Sequence, residues 1–449
     1  MRSAKTQAIR SRPAGTGRRA FATRGARLLQ VSPPMDERDL AGVRVLDLAD
    51  EPGFLAGRLL GDHGADVVKI EPPEGHPVRR RPPFWGGVSD PERGLAWLAQ
   101  NTGKRGITLD LSRPRGRDLF LALVEHADVV LASGRPGDLA AIGVAGDVLR
   151  ARNPRLIVCT ITPFGTAGPR SDWRASDLTA LAMGGNLRPT GDPDRPPIRC
   201  RLPAAYFHAG LEAAVGIVFA LYARENTGRG QDVDVSLQEV MLMPNISLAA
   251  QYATTGFRGA RAGAGYRVGD TFQREIWRCR DGWVTFALRG GAARIPGLIA
   301  LVAWMAEQEM APPCLSERDW RTYNHNLLSE SEVDEMSDAF AAFFSTRTRA
   351  ELYAAAVERK LMLAPVNDAR SIGESEQLAA REFFVELGYP HSADLGGVLR
   401  HPGAIAKLSS STLTPALRAP RLGEHNAAIY REIGLGAAEI ARLAEEGVV

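Results

Sequence analysis

From residue 43 to residue 236, short apolar runs alternate with longer segments of helical period. Residues 43–49 (VRVLDLA) read as a strand, and Pro52-Gly53 turn it into a helix over residues 54–63. Gly64-Ala65 end that helix, and residues 66–71 (DVVKIE) form a second strand stopped by Pro72-Pro73. Strand, helix and strand at this spacing predict a βαβ unit with a parallel pair. The alternation continues with a turn and strand over 101–111, a helix over 113–126 and a strand at 128–131. A short helix from 136 to 142, a strand at 156–161 and a helix at 176–183 follow. Such a series predicts a doubly wound α/β domain that takes its ligand at the carboxyl ends of the strands.

The stretch from Pro203 to Ser236 is the centre of the pattern. Residues 208–224 are apolar on nearly every helical face, which predicts a helix buried in the middle of a domain. Gly210, Ala213, Ala214 and Gly216 keep it thin, and Thr227-Gly228-Arg229-Gly230 stop it with glycine where a C-terminus calls for one. Residues 232–236 (DVDVS) alternate like a strand. After about residue 240 the texture changes. Residues 259–269 read as a glycine-rich loop, and residues 276–279 and 283–288 read as a hairpin around Asp281-Gly282. Helices continue to about residue 360, among them 332–344. A helix over 374–386 and a last one over 424–433 complete the reading.

Composition adds exclusions. The 449 residues carry a formal net charge of +3, but residues 1–34 hold eight basic residues and no acid. Without them the balance is +3 − 8 = −5, so the body has no nucleic-acid signature. The basic segment is either a targeting sequence or an upstream extension with Met35 as the working start, and it is left out of the fold. No run of 18 apolar residues is present, so no membrane span and a cytoplasmic location are expected. Cys159, Cys200, Cys279 and Cys314 show no metal spacing and are expected to be reduced, mostly core thiols. Neither a dinucleotide fingerprint, a P-loop, a GxSxG elbow nor a zinc motif occurs. Arg79-Arg80-Arg81 suit phosphates or a solvated surface. His208 suits a core or interface histidine better than a base.

The motifs VRVLDLA (43–49), GADVVKIEPP (64–73), NTGKRGITLDL (101–111), ADVVLASGRPGDLAAIG (127–143), TGRGQDVDVS (227–236), LAPVND (363–368) and APRLGEH (419–425) occur in that order. In them the chain resembles the family III CoA-transferases, the group of formyl-CoA:oxalate transferase, carnitine CoA-transferase and α-methylacyl-CoA racemase. The resemblance implies a Rossmann-like large domain built from both chain ends (40–240 and 363–449) and a smaller α+β domain between them (241–362). Residues 1–39 stand apart as a basic extension. It also implies two subunits linked like rings, with the active site between domains of different subunits.

The chemistry implied is nucleophilic catalysis by an aspartate, which attacks an acyl-CoA thioester and forms a mixed anhydride. CoA thiolate returns to give an enzyme–CoA thioester, and an acceptor acid repeats the exchange. Coenzyme A is then substrate, and neither a tightly bound cofactor nor a metal is expected. Lys69, Lys104, Arg105 and Arg135 match or neighbour the basic positions that meet CoA phosphates. Gly263 and Gly265 fall in the glycine loop whose amides stabilise the oxyanion. In the resemblance the family's aspartate position falls on Ala205, or on Tyr206 if the match slips by one, and neither can form the anhydride, whereas Asp177 matches a second acidic position. Three readings follow: a transferase that uses another acid, a silent CoA-binding subunit beside an aspartate-bearing homologue, or an acyl-CoA racemase or isomerase. The last is poorly supplied, because Ser176 stands where racemases use histidine.

Overall fold

A computed structural model of the chain describes residues 38–268, 271–409 and 417–449. The basic segment over residues 1–34 lies outside the described residues. Six strands form one sheet: β1 (Arg44–Asp47), β2 (Asp66–Glu71), β3 (Lys104–Thr108), β4 (Val129–Ser133), β5 (Ile157–Thr162) and β6 (Asp232–Ser236). Their order is β3-β2-β1-β4-β5-β6, and every neighbouring pair is parallel. The order reverses between β1 and β4, which makes the carboxyl edge there a crevice.

The crossovers run through α1 (Glu51–Asp62), α2 (Leu95–Gln100), α3 (Pro114–Val124), α4 (Asp138–Ala141), α5 (Gly146–Arg152), α6 (Asp177–Met183) and α7 (Ala204–Thr227). Alternate strand residues feed two cores. Val45, Val67 and Val129 pack under α1 and α7, whereas Leu46, Val68 and Val130 pack under α3, α5 and the C-terminal helices. Burial on both faces explains why these strands read as continuous apolar runs. Helix α1 starts three residues earlier than its apolar period, because the Asp50 side chain accepts from Glu51 N–H and Pro52 suits a first turn.

Residues 417–449 close the outer edge of β3. Gly106 N–H donates to His425 Nδ1 (3.1 Å), Thr108 N–H donates to Asn426 Oδ1 (2.9 Å), and Tyr430 Oη donates to the Thr108 carbonyl (2.5 Å). An edge strand's unpaired groups are thereby satisfied by side chains. The last helices are Asn426–Glu432 and Ala437–Glu445, the second of which the sequence pattern did not predict.

Beyond β6, α8 (Leu237–Leu242) and α9 (Ile246–Thr255) lead to a hairpin of β7 (Gly265–Val268) and β8 (Thr271–Arg274). Part of the expected glycine loop is thus strand. A three-stranded antiparallel sheet holds β9 (Ile276–Cys279), β10 (Gly282–Phe286) and β11 (Leu363–Pro365). It packs on an aromatic core of Trp277, Phe286, Phe340, Phe343 and Phe344. The helix expected over 374–386 is two short helices, Ala369–Gly373 and Glu376–Ala380, and then a strand, Phe384–Gly388, paired with Val398–Pro402. Glu382, at φ 49°, breaks the helical path.

The largest departure concerns α7. Its buried face is built from Ala205, Ala209, Gly210, Ala213, Ala214, Ile217, Ala220 and Leu221, and it packs on α1, β5 and β6. The other face is open: Phe219 is 69% exposed and Tyr222 74%, with Leu211, Val215 and Val218 beside them. Helix α7 is also long and apolar enough, by length and composition, to cross a membrane. Here one side of it forms core and the other is an uncovered apolar stripe.

Candidate active site

Asp47 ends β1 and is completely buried. Its carboxylate takes Lys104 Nζ at 2.8 Å and Lys69 Nζ at 3.2 Å. Lys104 Nζ also donates to the Phe54 carbonyl and to Asn101 Oδ1, both at 2.9 Å, and Lys69 Nζ donates to the Ala49 carbonyl. Helix α1 passes close over this group, since a Cβ on Gly57 would stand 2.5 Å from Asp47 Oδ2. Burial pushes the Asp47 pKa up, but Lys104 and Lys69 together hold it below the ordinary carboxylate value. Burial pulls Lys104 down to about 8, against the attraction of Asp47. The two lysines expected at CoA phosphates therefore face inward, and both are buried.

The other two expected cations lie apart. Arg105 holds Asp66 (2.7 Å) and Glu432 (2.9 Å) at the start of β3, away from the carboxyl edge. Arg135 follows β4 at the crevice itself, 41% exposed, with Asp138 at 3.0 Å. The structure thus brings Lys69 and Lys104 together and leaves Arg135 as the one of the four at the open carboxyl edge. Arg79 is neither solvated nor free for phosphate. It is buried, forks onto Glu71 (2.7 and 2.8 Å) and stacks 3.8 Å over the Trp97 ring. His208 is exposed, as is Cys200, whereas Cys159 and Cys279 are buried.

At the start of α7 the geometry is tighter. Pro203 precedes the helix and supplies no side-chain cap, so the first N–H groups need acceptors from elsewhere. Asp177, the first residue of α6, provides one: its Oδ1 accepts from Ala205 N–H at 2.9 Å. In return Asp177 N–H donates to Tyr206 Oη at 3.2 Å. Ser176 caps α6 by accepting from Thr179 N–H at 3.3 Å. Asp177 is only 7% exposed, and its Oδ2 is buried without a hydrogen-bond partner among the described residues. Burial raises its pKa above the ordinary value, against the bonds from Ala205 and Tyr206 and the nearby Arg199 charge; Glu51 adds to the rise. Ala205 itself is completely buried and carries no group able to attack a thioester.

Sequence reasoning missed the acids opposite. Asp50 meets His76 Nε2 at 2.9 Å, and Glu51 takes both arms of Arg81, at 2.8 and 2.5 Å. Burial raises the Tyr206 pKa, and the negative charges of Glu51 and Asp50 add to the rise. The acidic turn Asp50-Glu51 was the available signal. Gly263, at φ 62°, already donates its N–H to the Gly191 carbonyl (3.0 Å), and Gly265 pairs with Arg274 in the β7–β8 hairpin.

A doubly wound sheet with a crevice at β1 and β4, and a capped helix start beside it, defines an α/β protein of the ligand-binding type. The family follows from comparison. Residues 40–426 match CoA-transferase family III, and the chain belongs to that family. It is a CoA-transferase, moving CoA between an acyl-CoA and a carboxylic acid. Over 413 residues it is 32% identical to the succinyl-CoA:(R)-benzylsuccinate CoA-transferase subunit BbsE of Thauera aromatica, covering 92% of this chain and 98% of that one. It is 31% identical to the formyl-CoA:oxalate CoA-transferase of Streptomyces avermitilis, over 91% and 99% of the two chains. The crystal structure of a CAIB/BAIF family protein from Brucella suis superposes with a TM-score of 0.74 at 28% identity, over 88% and 99%.

Proposed function

We propose that this chain is the nucleophile-lacking subunit of a CoA-transferase assembled from two related chains. Ala205 stands at the position of the family's aspartate, and the second chain supplies that residue. The observation that carries the reading is the start of α7: a buried methyl group at position 205, its amide held by Asp177. The Thauera relative is itself named as a subunit, which supports the same reading. The open stripe of Leu211, Val215, Phe219 and Tyr222, three or four residues apart, is the surface on which the second chain seats. The two chains interlock as the family resemblance implies.

In this account the partner's carboxylate attacks the thioester carbonyl, and CoA leaves as thiolate. The thiolate then attacks the enzyme-side carbonyl of the mixed anhydride and releases the first acid. The acceptor carboxylate next attacks the enzyme–CoA thioester, and CoA passes to it by the same two steps in reverse. CoA lies at the β1/β4 crevice with Arg135 as its cation, and Lys69 and Lys104 hold the crevice floor through Asp47. Transfer by Asp177 in this chain alone is the weaker reading, because its Oδ1 already caps α7.

The test is CoA exchange from succinyl-CoA to a panel of acids, by this chain alone and with a co-purifying homologue. Exchange is expected only from the mixed complex. Exchange by the lone chain, lost in Asp177→Ala, overturns the proposal.

A further inference from the structure

The three-stranded sheet of β9, β10 and β11 has two unlike faces. Trp277, Val284, Phe286 and Leu363 point into the aromatic core. The alternate residues point the other way, and strand pairing sets Thr285 between Ile276 of β9 and Ala364 of β11. That outer row floors a cavity of about 500 Å³, walled by Glu275, Arg294 and Met362. The volume lies in the range of small-molecule sites, and most of the lining is apolar, with a few polar groups converging on it.

Of the two charged residues in this lining, one is committed. Glu275 is ion-paired to Arg289, whose guanidinium also stacks 3.9 Å over the Tyr266 ring. Arg294 is half-buried just before the helix Ile295–Glu307, and its side chain makes no hydrogen bond or ion pair among the described residues. The Thr285 hydroxyl likewise has no partner among them. Guanidinium and hydroxyl can both donate, and a carboxylate accepts from both. Beside them Ile276, Met362 and Ala364 offer an apolar bed, and the unbranched Met362 is exposed and adaptable.

We propose that this cavity is a second carboxylic-acid site, which binds a medium-chain aliphatic monocarboxylate. The carboxylate takes the Arg294 guanidinium, and the alkyl chain lies over Ile276 and Ala364 against Met362. A single head charge is selected, because a second carboxylate would face Glu275 with no free cation to offset it. CoA, with several phosphates, would meet the same acid over an apolar floor. None of the lining residues belongs to the β1/β4 crevice or to the start of α7. The site is therefore independent of which chain carries the nucleophile.

The experiment titrates the full chain, methyl-labelled at methionine, with octanoate and follows the Met362 resonance by NMR. Met362→Leu assigns that resonance. Octanoate is expected to shift it saturably, with the same Kd within twofold when saturating CoA is present. Arg294→Gln is expected to raise the Kd tenfold or more, and Arg294→Lys, which keeps the charge, less. 1-Octanol, which lacks the charge, and glutarate, which adds a second carboxylate, are expected to bind at least tenfold more weakly. No shift at Met362, an unchanged Kd in Arg294→Gln, or equal binding of 1-octanol or glutarate overturns the proposal. Loss of the shift on adding CoA also overturns it, because the acid would then be sharing the CoA site.

Discussion

Asp47 sits between two ammonium groups, so the three side chains together carry one net positive charge in the interior. Removing the acid leaves two uncompensated cations, whereas removing Lys104 leaves an acid paired with Lys69. Breaking a buried pair by deleting one partner costs about 3–5 kcal/mol. Asp47→Asn is therefore expected to fall in or above that range in urea unfolding and Lys104→Met below it. The reverse order contradicts the arrangement. Asp177 makes a second residue-scale case. Asp177→Asn keeps an oxygen for Ala205 N–H, whereas Asp177→Ala removes it, with a loss of about 1–2 kcal/mol. Equal unfolding midpoints for the two variants would count against the capping role.

The hairpin of Phe384–Gly388 and Val398–Pro402 shows the pH dependence of one element. His401, on its second strand, contacts Tyr389 Oη at 3.1 Å, and burial drives its pKa down to about 4. The unfolded chain binds that proton near pH 6.5, so stability falls as pH drops from 6.5 towards 4, by about 3 kcal/mol at most. Asp62 in α1 acts with the opposite sign: burial raises its pKa to about 6, and its contribution falls as pH rises from 3.8 through 6. The difference between wild type and His401→Phe, measured by denaturant titration at pH 4.5 and 7, isolates the first effect. It is expected to shrink at the lower pH.

Elements also mark how far the sequence could be read. The six sheet strands were visible because burial on both faces leaves unbroken apolar runs and glycine or proline turns between them. The start of α1 was not, because Asp50 and Pro52 set it and no apolar residue does. The strand at Phe384–Gly388 lay hidden in a helical period that Glu382 interrupts. The chemistry was less legible. Lys69 and Lys104, expected at CoA phosphates, are buried instead, and the carboxylate that turns them inward was visible only as one polar residue in an apolar strand. Arg105 and Lys104 are neighbours whose side chains leave β3 on opposite faces, which separates them.

At the scale of the whole molecule, α7 binds the account together. One face closes the core against α1, where a Cβ on Gly210 would come within 2.9 Å of Leu55 Cβ. The other face is apolar and open, which is why the sequence pattern predicted a helix buried all round. In the proposed assembly that prediction holds for the pair and not for the single chain. Phe219→Glu with Tyr222→Glu is expected to reduce the assembly to single chains in sedimentation, without lowering the unfolding midpoint of α1 and α7 packing. An unchanged mass would contradict the seating of the partner on this stripe.

The central claim is that this chain does not carry the covalent intermediate. Intact-mass analysis of the two-chain complex, quenched during turnover with succinyl-CoA, tests it most directly. The account predicts a CoA-sized adduct on the partner chain and none on this one. A CoA adduct on a carboxylate of this chain, Asp177 above all, would contradict it.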